Sequence, residues 1–135
     1  MAIKKKIPKK KKLPTIKQLR KRLDVEFNAY IRERDGKCIL CGSTKKLQCS
    51  HFYGKQARPA TRWNVTNAYA MCASCHFKHH HGTEADYAIK LFTIYGLKHM
   101  LKLQKQSQLP IEYNREIYNN MIFTFKKLRQ SLCAK

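Results

Sequence analysis

The sequence predicts an α+β fold, in which a small metal-stapled finger of two strands and a helix is embedded in a mainly helical single domain. Three observations lead there. Two Cys-x-x-Cys pairs, Cys38/Cys41 and Cys72/Cys75, bracket two short strand-like runs. Amphipathic helical periodicity precedes and follows that segment. An apolar content of 43% supports one modest core, of the size that benefits from a bound metal.

Each element has a local reason. Residues 1–14 are lysine-rich with Pro8 and Pro14, which reads as a flexible basic arm unable to bury a core. Thr15 and Gln18 form a capping box, and Ile16, Leu19, Leu23, Phe27 and Tyr30/Ile31 recur at helical spacing. A helix is expected over 15–35, ended by Asp35-Gly36. Cys38 and Cys41 then form a short knuckle, 47–52 a first strand, 54–64 a loop and 65–71 a second strand. Residues 73–81 suit a short helix closed at Gly82. Thr83 caps another, in which Tyr87, Leu91 and Ile94/Tyr95 share a face; Gly96 interrupts it, and 97–106 continues it to the break before Pro110. Ile117, Met121, Phe125, Leu128 and Leu132 mark a long amphipathic C-terminal helix. The expected organisation is therefore an arm at 1–14 and one domain at 15–135, with the finger at about 36–82 and a helical extension over 83–135.

Charge narrows the partners. Lys+Arg number 29 against Asp+Glu 8, a net +21 over 135 residues. Eleven of the 29 basic residues fall between Lys4 and Arg22, where there is no acid, and the remainder still carries +10. The body as well as the arm should therefore sit in a positive field, and a polyanion, nucleic acid foremost, is the expected partner. A charge serving solubility alone is the bland alternative. No apolar run is long enough to span a bilayer, and no apolar stretch follows the charged start, so neither a membrane nor a secretory signal is expected.

Six cysteines sort into the two pairs plus Cys49 and Cys133. Without a secretory context, two converging pairs favour one structural Zn²⁺ over disulfides. A thioredoxin-like redox pair fits poorly, because Cys38-Ile39-Leu40-Cys41 opens after a helix while Cys72-Ala73-Ser74-Cys75 opens one. A knuckle, a hairpin and a helix whose first turn completes the site is the layout of a treble-clef finger. Cys49 and Cys133 read as buried or incidental thiols.

His51 ends the first strand, Asn67 lies on the second, His76 follows Cys75, and His79, His80 and His81 come next. In a helix, His76 and His80 project from one face and can hold a second divalent ion. A solvated histidine-rich helix end is the competing view, which the facing His51 disfavours.

Cys-x-x-Cys, His51, Asn67 and Cys-x-x-Cys-His together resemble an HNH endonuclease of the ββα-metal type. Asn28-Ala29-Tyr30-Ile31-Arg32-Glu33-Arg34-Asp35, Cys-Ile-x-Cys-Gly, His51-x-Tyr53 and Arg62-Trp63-Asn64-x-x-Asn67 are further similar to the phage NinG/Rap recombination endonucleases, over roughly residues 20–130. Many HNH enzymes place an Asp or His ligand where this chain has Ser50, and the phage family has an Asn where it has His76. The number of protein ligands on the catalytic ion is thus left open: His76, with or without His80, and water and phosphate.

The resemblance implies a metal-dependent DNA endonuclease that leaves 5′-phosphate and 3′-hydroxyl ends on branched recombination intermediates such as D-loops or Holliday junctions. It implies His51 as general base, Asn67 as the residue that fixes the loop or orients the imidazole, and His76 with His80 as ligands of Mg²⁺ or Mn²⁺. Arg62, Lys55 and Arg58 are candidate nucleic-acid contacts, Arg62 at the scissile region or on the phosphate backbone. The cytoplasm is the expected location, that of a bacterial host if the chain is phage-encoded. Symmetric cutting would favour a homodimer through the C-terminal helix; burial of that helix in its own core is the alternative. The competing functions are a non-catalytic zinc-finger DNA-binding protein and an HNH restriction or homing nuclease.

Overall fold

A computed structural model describes residues 11–135. The basic arm expected over 1–14 lies outside the described residues as far as residue 10. Residues 11–14 have no regular structure, and the Pro14 carbonyl accepts a hydrogen bond from the Arg115 guanidinium.

The first helix, α1, spans Ile16–Asp35. Its start is the expected capping box: Thr15 accepts from the Gln18 amide, and the Gln18 side chain accepts from the Thr15 amide. Gly36 ends it at φ 64°, a left-handed cap that costs glycine little. Strands β1 (Leu47–His51) and β2 (Ala68–Cys72) pair antiparallel, with Leu47 opposite Cys72 and His51 opposite Ala68. A single 3-10 turn, Pro59–Thr61, lies in the loop between them. Helix α2 (Ala73–His79) follows β2 directly, then α3 (Glu84–Ser107) and α4 (Arg115–Cys133).

β2 separates two apolar clusters, because its side chains alternate between its faces. Ala68 joins Leu19, Leu23, Phe27 and Ile31 of α1, Trp63, and Tyr118 and Phe125 of α4. Tyr69 and Met71 turn the other way, onto Cys38, Cys72, and Tyr87 and Leu91 of α3. Burying each large side chain of α1 stabilises the fold by about 1.5–3 kcal/mol relative to exposure. Arg129 of α4 bridges Glu26 and Glu33 of α1 at 2.9 and 2.6 Å.

The end of α1 also clamps the outer edge of β2. The Arg34 guanidinium donates to the carbonyls of Val65 (2.8 Å) and Ala68 (3.0 Å), and Asp35 accepts from the Ala70 amide at 2.7 Å. The Ile39 amide of the knuckle takes the Ala70 carbonyl at 2.9 Å.

Four expectations differ from the structure. The second strand begins at Ala68, not at residue 65, because Asn64 Oδ1 accepts from both the Thr66 amide and hydroxyl and holds 64–67 as a turn. The short helix ends at His79 rather than at 81. On α3, Tyr87 and Leu91 are buried but Ile94 and Tyr95 are exposed, with the Tyr95 ring stacked on Tyr69 at 5.5 Å just before Gly96 (φ 79°, ψ 172°) breaks the helix. In α4 the core is anchored by Tyr118 and Phe125, with Leu128 left exposed.

Candidate metal and nuclease site

The four cysteines of the two pairs converge. Cys38 and Cys41 hang from the knuckle, while Cys72 closes β2 and Cys75 lies in the first turn of α2. All four sulfurs lie within 4.8 Å of one another, and Cys41 Sγ is 3.7 Å from Cys72 Sγ. Tetrahedral coordination at ~2.3 Å spaces sulfurs ~3.8 Å apart, so the cluster fits one zinc ion. Its protons point the same way. Burial alone would raise the Cys38 thiol, but backbone amides of Cys41, Cys72 and Leu40 outweigh it and bring it to about 7. Burial and the neighbouring thiols push Cys75 well up. One thiolate forms readily and then opposes the rest, a conflict that a divalent cation removes. Cys49 is outside the cluster; burial raises its thiol to about 12. Cys133 is exposed at the end of α4.

His51 ends β1 with its ring stacked on Phe27 at 5.6 Å. It is 9% exposed. Nε2 lies 2.8 Å from the Arg62 carbonyl, and a carbonyl can only accept, so Nε2 carries the proton. Nδ1 therefore holds the lone pair; it has no partner in the fold and is not among the enclosed unpaired atoms. Burial lowers the imidazole to about 4, with the Lys55 charge acting in the same direction. His51 is thus neutral at pH 7.

Asn67 is fully buried and bonds only to backbone. Its Oδ1 accepts from the Tyr53 amide at 2.8 Å, and Nδ2 donates to the Tyr53 and Thr61 carbonyls, each at 3.0 Å. Of the two roles expected for it, these bonds are those of fixing the 53–61 loop, which leads to the Arg62 carbonyl.

His76 and His80 share one face of the α2 turn. His76 Nδ1 lies 2.6 Å from Gln48 Oε1 on β1, so Nδ1 donates and Nε2 is left facing His80 Nε2 at 3.0 Å. Burial lowers the His76 pKa, and the charges of His80, His79 and Lys55 add to it. The Lys55 ammonium thus bears on both His51 and His76. His79, which the sequence leaves open beside His80 and Ser50 as a further metal ligand, is buried beside Tyr87 at 4.8 Å between rings, and the Tyr87 hydroxyl donates to the Ser50 carbonyl at 3.1 Å. Ser50 Oγ and His79 Nδ1 are both buried without a partner.

Arg62 is engaged inside the protein. Its Nε and Nη2 grip Asp24 of α1 at 3.0 and 2.5 Å, and Trp63 Nε1 donates to the same carboxylate at 2.9 Å. Burial opposes the Asp24 charge, yet Arg62, Trp63 and Lys55 together hold its pKa below the ordinary value. Arg58 is exposed in the loop and Lys55 half-buried. The sequence marks Tyr87 only as a helix-face residue and Arg34 only within the family-like motif, and it gives no functional role to Gln48 or Asp24. Asp24, the first acid after eleven basic residues, carried a weak signal, and Gln48 carried none.

No helix among the described residues is long and apolar enough to cross a membrane. No curated protein and no solved structure matches the chain. A family model described as Bacteriophage Lambda NinG protein matches residues 2–133, which is nearly all of the sequence and includes every residue of the cysteine cluster and of the histidine site. The chain belongs to the NinG family of bacteriophage proteins.

Proposed function

We propose that the chain is a metal-dependent DNA endonuclease of the HNH type, built on a zinc-bound treble-clef finger and acting on branched intermediates of phage recombination. His51 carries the proposal. It is a neutral imidazole at pH 7, tautomerically fixed by the Arg62 carbonyl, with an unengaged Nδ1. That leaves a lone pair free to accept a proton at pH 7.

His51 Nδ1 takes a proton from water as the water oxygen bonds to phosphorus. The bond to the 3′ oxygen then breaks, that oxygen takes up a proton from solvent water and His51 returns its own to solvent, leaving 5′-phosphate and 3′-hydroxyl ends. Asn67 holds the loop that supplies the Arg62 carbonyl, and so keeps the His51 tautomer. His76 and His80 would hold Mg²⁺ or Mn²⁺. Gln48 leaves His76 Nε2 unprotonated, so His80 Nε2 donates to it at 3.0 Å; with the His80 proton on Nδ1 instead, the two Nε2 atoms are spaced as adjacent ligands of one ion at ~2.1 Å. When bound, the ion supplies positive charge for the phosphate and the leaving oxygen. The basic surface supplies backbone contacts without sequence information.

The burial of His51 against Phe27 favours a second reading, a zinc-stabilised DNA-binding protein in which His51 is structural. Cleavage of branched and linear DNA with Mg²⁺ or Mn²⁺ separates the two. His51→Ala should slow cleavage by a factor of about 10² or more while zinc content and DNA binding persist. A wild-type rate in that variant would remove His51 from the chemistry, and binding without cleavage under either metal would leave the DNA-binding module.

A further inference from the structure

A cavity of about 280 Å³ lies between α1, the 55–63 loop and the segment leading into α4. Arg20, Lys55, Arg62, Trp63, Tyr113 and Tyr118 line it. We propose that this cavity binds a single unpaired nucleotide, its base against Tyr113 and its phosphate between Arg20 and Lys55. This rests on the reading of the chain as a DNA nuclease and names what selects its substrate.

The floor is aromatic and rigid. Trp63 meets Tyr113 and Tyr118 edge-on, with ring centres 5.1 and 5.6 Å apart. Trp63 is fixed by its bond to Asp24, and the Tyr118 hydroxyl accepts from Arg20 Nε at 3.5 Å. Tyr113 is only half-buried and offers ring surface to a base. The rim is cationic. Among the described residues, neither Arg20 nor Lys55 has an acid within ion-pair distance, because the nearby Asp24 is taken by Arg62 and Trp63.

Size and place then narrow the ligand. The volume is near the lower end of small-molecule sites, ~300 Å³. That accommodates one nucleotide and not a base pair. Arg62 forms one wall while its carbonyl holds His51. A fully paired duplex must first unstack a base to fill the cavity, whereas a branch point offers one already free. Preference for branched DNA then needs no base-edge contact.

The test uses the zinc-loaded full chain without added Mg²⁺ or Mn²⁺, so that binding is read apart from cleavage. The probes are a forked DNA with one unpaired 2-aminopurine at the branch and a fully paired duplex of equal length. Trp63 is the only tryptophan of the chain, so its emission reports the cavity directly. The fork should quench both Trp63 and 2-aminopurine, and the duplex neither. Tyr113→Ala should weaken fork binding at least about tenfold with little change for duplex, and Tyr113→Phe should restore it. Arg20→Lys, which keeps the charge but not the guanidinium bond to Tyr118, should retain fork binding, and exposed Arg20→Ala should weaken the fork more than the duplex. Equal losses on both DNAs, or an unchanged Trp63 emission on fork binding, would overturn the proposal. Tyr113-dependent fork binding in a protein that cuts no DNA would keep the cavity and discard the nuclease. Cleavage that prefers branches equally in Tyr113→Ala would do the reverse.

Discussion

His51 ties acid sensitivity to its burial, and the size of the effect follows from its surroundings. In the unfolded chain its imidazole titrates near the ordinary 6.5, whereas in the fold burial lowers it to about 4. Between those values the unfolded state binds the extra proton, so stability is fully present above about pH 6.5 and falls as the pH drops towards 4. One pKa unit corresponds to about 1.4 kcal/mol, so His51 alone should remove about 1 kcal/mol between pH 7.5 and 5.5 and about 3 kcal/mol by pH 4. The perturbation is His51→Gln, whose amide can still donate to the Arg62 carbonyl but cannot take up a proton in this range. Denaturant unfolding of zinc-saturated wild type and variant at both pH values gives the measurement. His76, His79 and the zinc thiolates also respond to acid, but they are common to both proteins and cancel in the difference. The wild type should lose about 1 kcal/mol more than the variant. Equal losses would mean that His51 is already solvated and titrates normally, and its fixed neutral tautomer would fall with that result.

Two further outcomes separate fold from chemistry. Cys72→Ala should release the zinc and with it the cooperative unfolding transition, read by metal stoichiometry and circular dichroism; a folded, zinc-free variant would show that the cluster is dispensable. Asn67→Ala removes a fully buried side chain and leaves the Tyr53 amide and the Tyr53 and Thr61 carbonyls without it, so a loss of about 1–3 kcal/mol in thermal or chemical unfolding is expected, whereas a change below ~0.5 kcal/mol would mean that the loop is held elsewhere.

What was legible in the sequence was what is decided locally. The capping box at Thr15, the stop at Gly36 and the break at Gly96 each depend on residues within one turn, and each lies where the sequence places it. The cysteine cluster was equally readable, because ligand spacing is a short-range property. The start of β2 was not, since the Asn64 turn overrides the strand preference of Val65. Nor could spacing reveal the Arg62 carbonyl behind His51 or Gln48 behind His76, contacts 11 and 28 residues apart that exist only once the chain has folded. Arg62 illustrates the limit most plainly. Its charge suggested a surface contact, while its guanidinium turns inward to Asp24 and its main chain faces the histidine.

The clamp that α1 places on β2 has a bearing on how the chain behaves when crowded. A two-stranded sheet ordinarily offers a row of unpaired amides and carbonyls to any other strand it meets. Here the amide of Ala70 is closed by Asp35, its carbonyl by Ile39, and the carbonyl of Ala68 by Arg34. That side of the hairpin cannot recruit a neighbour's strand without first unseating the end of the helix. Loss of Arg34 or Asp35 would open a template for edge-to-edge aggregation, in a protein whose strong positive charge otherwise keeps its copies apart.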